Sequence, residues 1–144
     1  MIKECSISHL KQYGVVYARA FACEPWKDDW KAEDAEVHVR ELMECPTAYG
    51  IEYVVEDEVL GFLLGTSMLF SWGRSFEIND LAVLPEYQGK GIGTKLLERC
   101  LSDMKERGIK MVNLITSTDE GLNGYYRKFG FEPAGDVMLM GKEL

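Results

Sequence analysis

Apolar residues recur along this chain with two different periods, and the switch between them marks out its elements. "SHLKQYGVVYARAF" places Leu10, Tyr13, Val16, Tyr17, Ala20 and Phe21 at helical spacing, with Ser8 positioned as an N-cap. "KAEDAEVHVRELMEC" sets Ala35, Val39, Leu42 and Met43 on one helical face. The strongest stripe is Ile92, Leu96, Leu97, Cys100, Leu101 and Met104 in "GIGTKLLERCLSDMKERG", with Gly108 as its stop. "MIKECSI" reads as a first strand. "IEYVVEDEVLGFLLGTSMLF" reads as two strands around a tight turn at "EDE", and "FEINDLAVLP" as a further strand ended by Pro85. "IKMVNLIT" is apolar at nearly every residue, as a strand buried on both faces is. "STDEGLNGYYRKFG" predicts a short helix ending at Gly130, despite two internal glycines, and "FEPAG" and "DVMLMGKEL" predict a last pair of strands. The order β-α-α-β-β-β-α-β-α-β-β predicts an α/β fold of the α+β type. It is a mixed, mostly antiparallel twisted sheet of six to seven strands flanked by about four helices.

Composition narrows this picture. The 144 residues show no repeat, low-complexity tract or linker and suit one domain, 1–144. No apolar run approaches the roughly 18 residues of a membrane span, and the first residues lack a secretory pattern. The net charge of −8 argues against a nucleic-acid partner, which needs a basic surface, and favours a cationic or neutral one. The four cysteines, Cys5, Cys23, Cys45 and Cys100, are dispersed and form no CxxC, and the two histidines lie far from any cysteine pair. A metal site is therefore not expected, and reduced thiols in a cytoplasm are.

The chemistry-bearing stretch is "LPEYQGKGIGTKLL", where a glycine-rich loop opens the strongest helix. A helix N-terminus exposes unsatisfied N–H groups at the positive end of its dipole, where phosphates bind. Glycines at 89, 91 and 93 remove side chains that would hold a phosphate off the backbone, although a plain glycine-rich turn has the same composition. The loop is not a Walker A motif, because Gly89-Lys90 is followed by Gly91 rather than Ser or Thr. Nor is it the GxGxxG dinucleotide fingerprint.

Gln88-Gly89-Lys90-Gly91-Ile92-Gly93 after "LAVLPEY" resembles the (Gln/Arg)-x-x-Gly-x-(Gly/Ala) loop of the GNAT superfamily of N-acetyltransferases. The following helix and strand occupy the order of that family's next elements, and "YYRKFGFEPAG" resembles its C-terminal Tyr-x-x-(aromatic or Leu)-Gly-Phe segment. The resemblance is dense from about Phe76 to Ala134 and extends over the whole chain through element order. It is looser, but present, toward small bacterial members akin to aminoglycoside 6′-N-acetyltransferases.

The resemblance implies acetyl-CoA as co-substrate. Backbone N–H groups from Gly89 to Thr94, a stretch that includes Lys90, Gly91, Ile92 and Gly93, would cradle the pyrophosphate. The strand edge at Leu81, Ala82 and Val83 would pair with pantetheine where the strand splays from "IKMVNLIT". Lys90 either adds charge there or is simply solvated. Many relatives carry Asn seven positions before the motif Tyr, where this chain has Asp119, so Asn123 is the alternative cofactor contact.

Acetyl transfer to an amine needs a base for the ammonium, a stabilised oxyanion and an acid for the thiolate. Glu77, eleven positions before Gln88, matches the glutamate that activates the amine in several relatives, and otherwise solvates a strand face. In strict alternation it shares a face with Asn79 and Leu81, with Asp80, the second choice, opposite. Tyr126 holds the motif's Tyr and is the expected acid. Its neighbour Tyr125 is expected to point elsewhere.

The family's acceptor site draws on the first two helices and their connecting loop. Here that loop carries Trp26, Asp28, Asp29 and Trp30, and carboxylates beside aromatic faces suit a cation. The same residues also read as an acidic helix start with tryptophans packed inward. The expected activity is transfer of an acetyl group to a primary amine, of a small cationic molecule, by direct transfer in a ternary complex. A protein or peptide N-acetyltransferase and a non-catalytic CoA-binding module are the alternatives, and a homodimer is expected by resemblance. His9 and His38 lie at no spacing that suggests a triad, and Cys100 reads as a core thiol.

Overall fold

The computed structural model describes residues 1–144. Five strands form one sheet in the order β1 (Ile2–Glu4), β2 (Ala48–Val55), β3 (Glu58–Phe70), β4 (Gly73–Val83) and β5 (Met111–Leu114). All pairings are antiparallel except β4 with β5. Helices α1 (Leu10–Phe21) and α2 (Ala32–Met43) cover one face, and α3 (Ile92–Glu106) covers the other. A short α4 (Glu120–Arg127) follows β5. The core is one cluster running from Tyr13 and Val16 of α1 through Phe62 to Leu96, Leu97 and Cys100 of α3. Cys100 is fully buried, and burial pushes its thiol up to about 12, so it is inert at neutral pH. No helix is long and apolar enough to cross a membrane.

Three expectations change. The cap before the first helix is Ser6, whose hydroxyl accepts from Ser8 N–H at the head of a 3₁₀ turn spanning Ile7–His9. The sheet has five strands rather than six or seven, because "FEPAG" and "DVMLMGKEL" carry no strand. Pro133 has no N–H to give a ladder, and Val137 to Met140 form an unbroken apolar run between Gly135 and Gly141. Neither sequence feature selects a face to bury, and all four apolar residues are exposed. In consequence β5 is an edge strand with Met111 exposed, and it is not buried on both faces.

Two features position the site. Glu52, fully buried on β2, accepts from Tyr13 Oη of α1 and lies 2.9 Å from His9 Nδ1, which fixes α1 on the sheet. The second is a β-bulge in β4. Ile78 pairs with Gly65 and Asp80 with Leu64, leaving Asn79 as an extra residue. Its Oδ1 accepts from Thr66 Oγ1 at 3.2 Å. The bulge resets the alternation, so Glu77 shares the α1–α2 face with Asp80, and Leu81 turns to the α3 face. Strict alternation had grouped Glu77 with Leu81.

Candidate active site

The pairing of β4 with β5 runs from Ser75↔Met111 to Ile78↔Leu114 and stops there. Beyond it the two parallel strands separate, and residues 80–83 keep a ladder only with β3. The bulge sits at the point of separation, where its added twist turns β4 away. A cleft of about 310 Å³ lies against this free edge. It is bounded by Leu81, Ala82 and Val83, by the glycine loop, by Phe21 and Trp26 at the end of α1, and by Tyr125 and Tyr126 of α4.

The loop's backbone explains its glycines. Gly89 and Gly91 have φ of 75° and 87°, a region that costs other residues about 1–2 kcal/mol. Gly93 faces Tyr125, and a Cβ there would stand 3.4 Å from its Oη, in ordinary contact. Gln88 N–H bonds Pro85 O and Lys95 N–H bonds Gly91 O, but the six N–H groups of 89–94 make no hydrogen bond within the chain. The N-terminus of α3 has no side-chain cap and no acidic residue in its first turn. These donors, together with the helix dipole, form a receptor for an anion with several oxygens. Gln88 donates through Nε2 to Val83 O at 2.9 Å, tying loop to strand.

Of the residues expected at the cofactor, Leu81, Ala82, Val83, Gln88, Gly89, Gly91, Ile92, Gly93, Thr94 and Tyr126 line the cleft. Lys90 does not; its ammonium lies over the Tyr87 ring, 5.4 Å from the centroid. Asn123 also lies outside, because its Nδ2 donates to Ser117 O and Asp119 O and closes the turn before α4. Asp119 accepts from Leu122 N–H and caps the same helix. Both side chains are thus committed to building α4 rather than to reaching the cleft.

Tyr125, expected to point away, lines the cleft with its hydroxyl 3.2 Å from Thr94 Oγ1. The two tyrosine rings meet edge to face at 5.3 Å. Burial, and secondarily Tyr125, pushes the Tyr126 phenol up to about 12. It therefore stays protonated through the physiological range, as a proton donor must.

On the acceptor side the structure divides the expected residues. Trp26 lines the cleft and packs on Phe21 at 5.8 Å. Trp30 packs instead on Tyr17, at 5.1 Å, and on His38, at 5.5 Å. Asp28 and Asp80 both act on the Tyr17 phenol, which burial first and then their charges raise. Asp29 is exposed. Asp80 is 5% exposed and stands 2.9 Å from His38 Nε2. Glu77 is half-buried on the doubly paired stretch of β4, opposite Thr66 and Asn113, and does not line the cleft. Sequence reasoning missed Phe21 as a site residue, because it reads as core, and missed the contact of Asp80 with His38, which lies 42 positions away.

Comparison with known proteins agrees with this geometry. Residues 15–131 match the model of the acetyltransferase (GNAT) family. A putative ribosomal protein bS18-alanine N-acetyltransferase of Bacillus subtilis is 29% identical over 112 residues, 77% of this chain and 67% of that protein. An acetyltransferase of Sodalis glossinidius is 32% identical over 88 residues, 60% of this chain and 62% of that protein. Among solved structures, a possible acetyltransferase from Clostridium difficile superposes with a TM-score of 0.86 at 17% identity, covering 100% of this chain and 97% of that one. An aminoglycoside acetyltransferase from an uncultured soil metagenomic sample, in complex with sisomicin, superposes at 0.76 and 19% identity, covering 100% and 95%. A glycine loop of free amides beside a splayed strand, on a chain matched over most of its length, thus belongs to the GNAT family, and the protein is an N-acetyltransferase.

Proposed function

We propose that this cleft binds acetyl-CoA and that the chain transfers the acetyl group to a primary amine of a small cationic molecule, by direct transfer in a ternary complex. The observation that carries the reading is the run of free N–H groups from 89 to 94, opening on a cleft that also holds Tyr126. Acetyl-CoA, when bound, supplies an acyl group activated as a thioester. The amides of Gly89 to Thr94 hold its diphosphate, and the free edge of Leu81 to Val83 orients the chain that follows. The Tyr126 hydroxyl is placed to give a proton to the leaving sulfur. For the acceptor, Asp28 and Asp80 beside Tyr17, with Trp26 and Trp30 nearby, suit an ammonium by charge and by cation–π contact.

The test is thiol release from acetyl-CoA across a panel of diamines, polyamines, aminoglycosides and peptides with free N-termini. The reading expects turnover with small polycations; preference for the peptides would replace it with the second reading. That second reading, a peptide N-terminus as acceptor, is favoured by similarity to the Bacillus alanine N-acetyltransferase. Tight binding of acetyl-CoA with no thiol released for any amine would leave only a CoA-binding module. Tyr126→Phe is expected to lower kcat about 10- to 100-fold with KM for acetyl-CoA nearly unchanged, since the ring and its packing remain. Unchanged kcat in that variant would remove the acid role.

A further inference from the structure

We propose that His38 is the group that accepts the proton from the acceptor's ammonium, with Asp80 as its positioning partner. The inference rests on the amine-acceptor reading above and names a base for it that lies on α2 rather than on the strand.

Geometry favours this pair over Glu77. Glu77 sits before the splay, on backbone paired on both sides. Asp80 lies past the splay, next in sequence to the cleft-lining Leu81 but on the opposite, α1–α2 face of the strand. A carboxylate has no hydrogen to give, so the 2.9 Å contact is Nε2–H donating to Asp80 Oδ2. That bond fixes the neutral ring in the tautomer whose Nδ1 carries a lone pair. The His38 side chain is 34% exposed, whereas that of Asp80 is 5% exposed and lies behind it. An aromatic row connects the pair to the cleft. His38 packs on Tyr17 at 4.7 Å, Tyr17 on Phe21 at 4.5 Å, and Phe21 on Trp26 at 5.8 Å. Phe21 and Trp26 themselves line the cleft. The row leaves one buried ring, Tyr17, between the carboxylate-backed imidazole and the cleft wall at Phe21.

The step balances simply. One N–H bond of the ammonium breaks and its electron pair stays on nitrogen, which becomes nucleophilic. The proton forms a new bond to Nδ1, and the imidazolium is stabilised by Asp80. The ring later returns the proton to water. The groups facing His38 are Asp80 of β4, the Tyr17 phenol of α1 and Glu41 of its own helix, while Trp30 adds no charge. The Asp80 hydrogen bond raises the imidazole above its ordinary value, burial opposes it, and the Asp80 and Glu41 charges add to the rise. The rise strengthens the imidazole as a proton acceptor.

The experiment pairs an activity profile with a direct titration. The imidazole resonances of the two histidines are followed by NMR against pH, with His38→Gln assigning them. The expected results are a His38 midpoint above 6.5, lowered in Asp80→Asn, and an acid limb in kcat for a small amine at the same midpoint. His38→Gln should lose that limb and about 10²-fold in kcat, with the circular dichroism of the native fold. His9→Gln should keep it. If His38→Gln is not folded, His38→Asn and the Asp80→Asn shift read the same two quantities. A retained acid limb with near-native kcat in folded His38→Gln, or a His38 midpoint that differs from the limb, overturns the inference. If the wild-type protein binds acetyl-CoA but releases no thiol with any amine, the acceptor reading itself falls, and this inference with it.

Discussion

Gly91→Val is expected to reduce affinity for coenzyme A by roughly 10²- to 10⁴-fold. Gly91 holds φ at 87°, which a β-branched residue avoids. Valine there forces the loop into another conformation, and the amides from 89 to 94 no longer converge. Losing two charge-assisted hydrogen bonds at about 1.5–3 kcal/mol each gives that range. The fold should survive, because a Cβ at 91 meets no atom within 4 Å. Gly108→Val is the control. Gly108 has φ of 76° in equally open space, at the far end of the same helix. It should show a similar drop of a few degrees in Tm with affinity unchanged within about 2-fold. Calorimetry on the two variants separates the loop's geometry from any general strain on α3. Equal affinity in wild type and Gly91→Val would mean the loop does not hold the ligand.

The second large effect lies in the core that carries the site. Phe62 is fully buried on β3, pairs with Ala82 and packs on the Tyr13 ring of α1 at 5.1 Å. Phe62→Ala is expected to cost about 3–5 kcal/mol, a large share of the roughly 5–15 kcal/mol that holds such a domain together. Urea unfolding should show a lower midpoint with an unchanged slope. Phe70 on the same strand is 46% exposed and stacks only on Trp72, so Phe70→Ala should cost under about 1 kcal/mol. A loss under about 1 kcal/mol for Phe62→Ala would contradict the packing of α1 through Tyr13 onto the centre of the sheet.

What the sequence disclosed follows from where its signals are local. The helical stripe from Ile92 to Met104 and the glycines before it are contiguous, so α3 and its loop were legible together. The bulge at Asn79 was not, because it is a property of the pairing with β3 and leaves no mark on a strand of ordinary composition. It alone decides that Glu77 and Asp80 face the same side. The contact of His38 with Asp80 was invisible for the same reason: the two meet only when α2 packs over the sheet. The C-terminal residues show the opposite failure. "DVMLMGKEL" has strand-forming composition, yet composition without a partner edge and a face to bury does not make a strand. The spacing of Asn123 to Tyr126 says nothing of the backbone carbonyls that its amide bonds in the structure.

Backbone amides on the glycine loop are the centre of the functional reading, and ¹⁵N-resolved NMR with hydrogen exchange observes them individually. Adding coenzyme A to the uniformly labelled protein should shift and protect the N–H groups of Gly89 to Thr94 more than any others. Coenzyme A that fails to bind, or that binds while these amides keep their shifts and exchange rates, would contradict it.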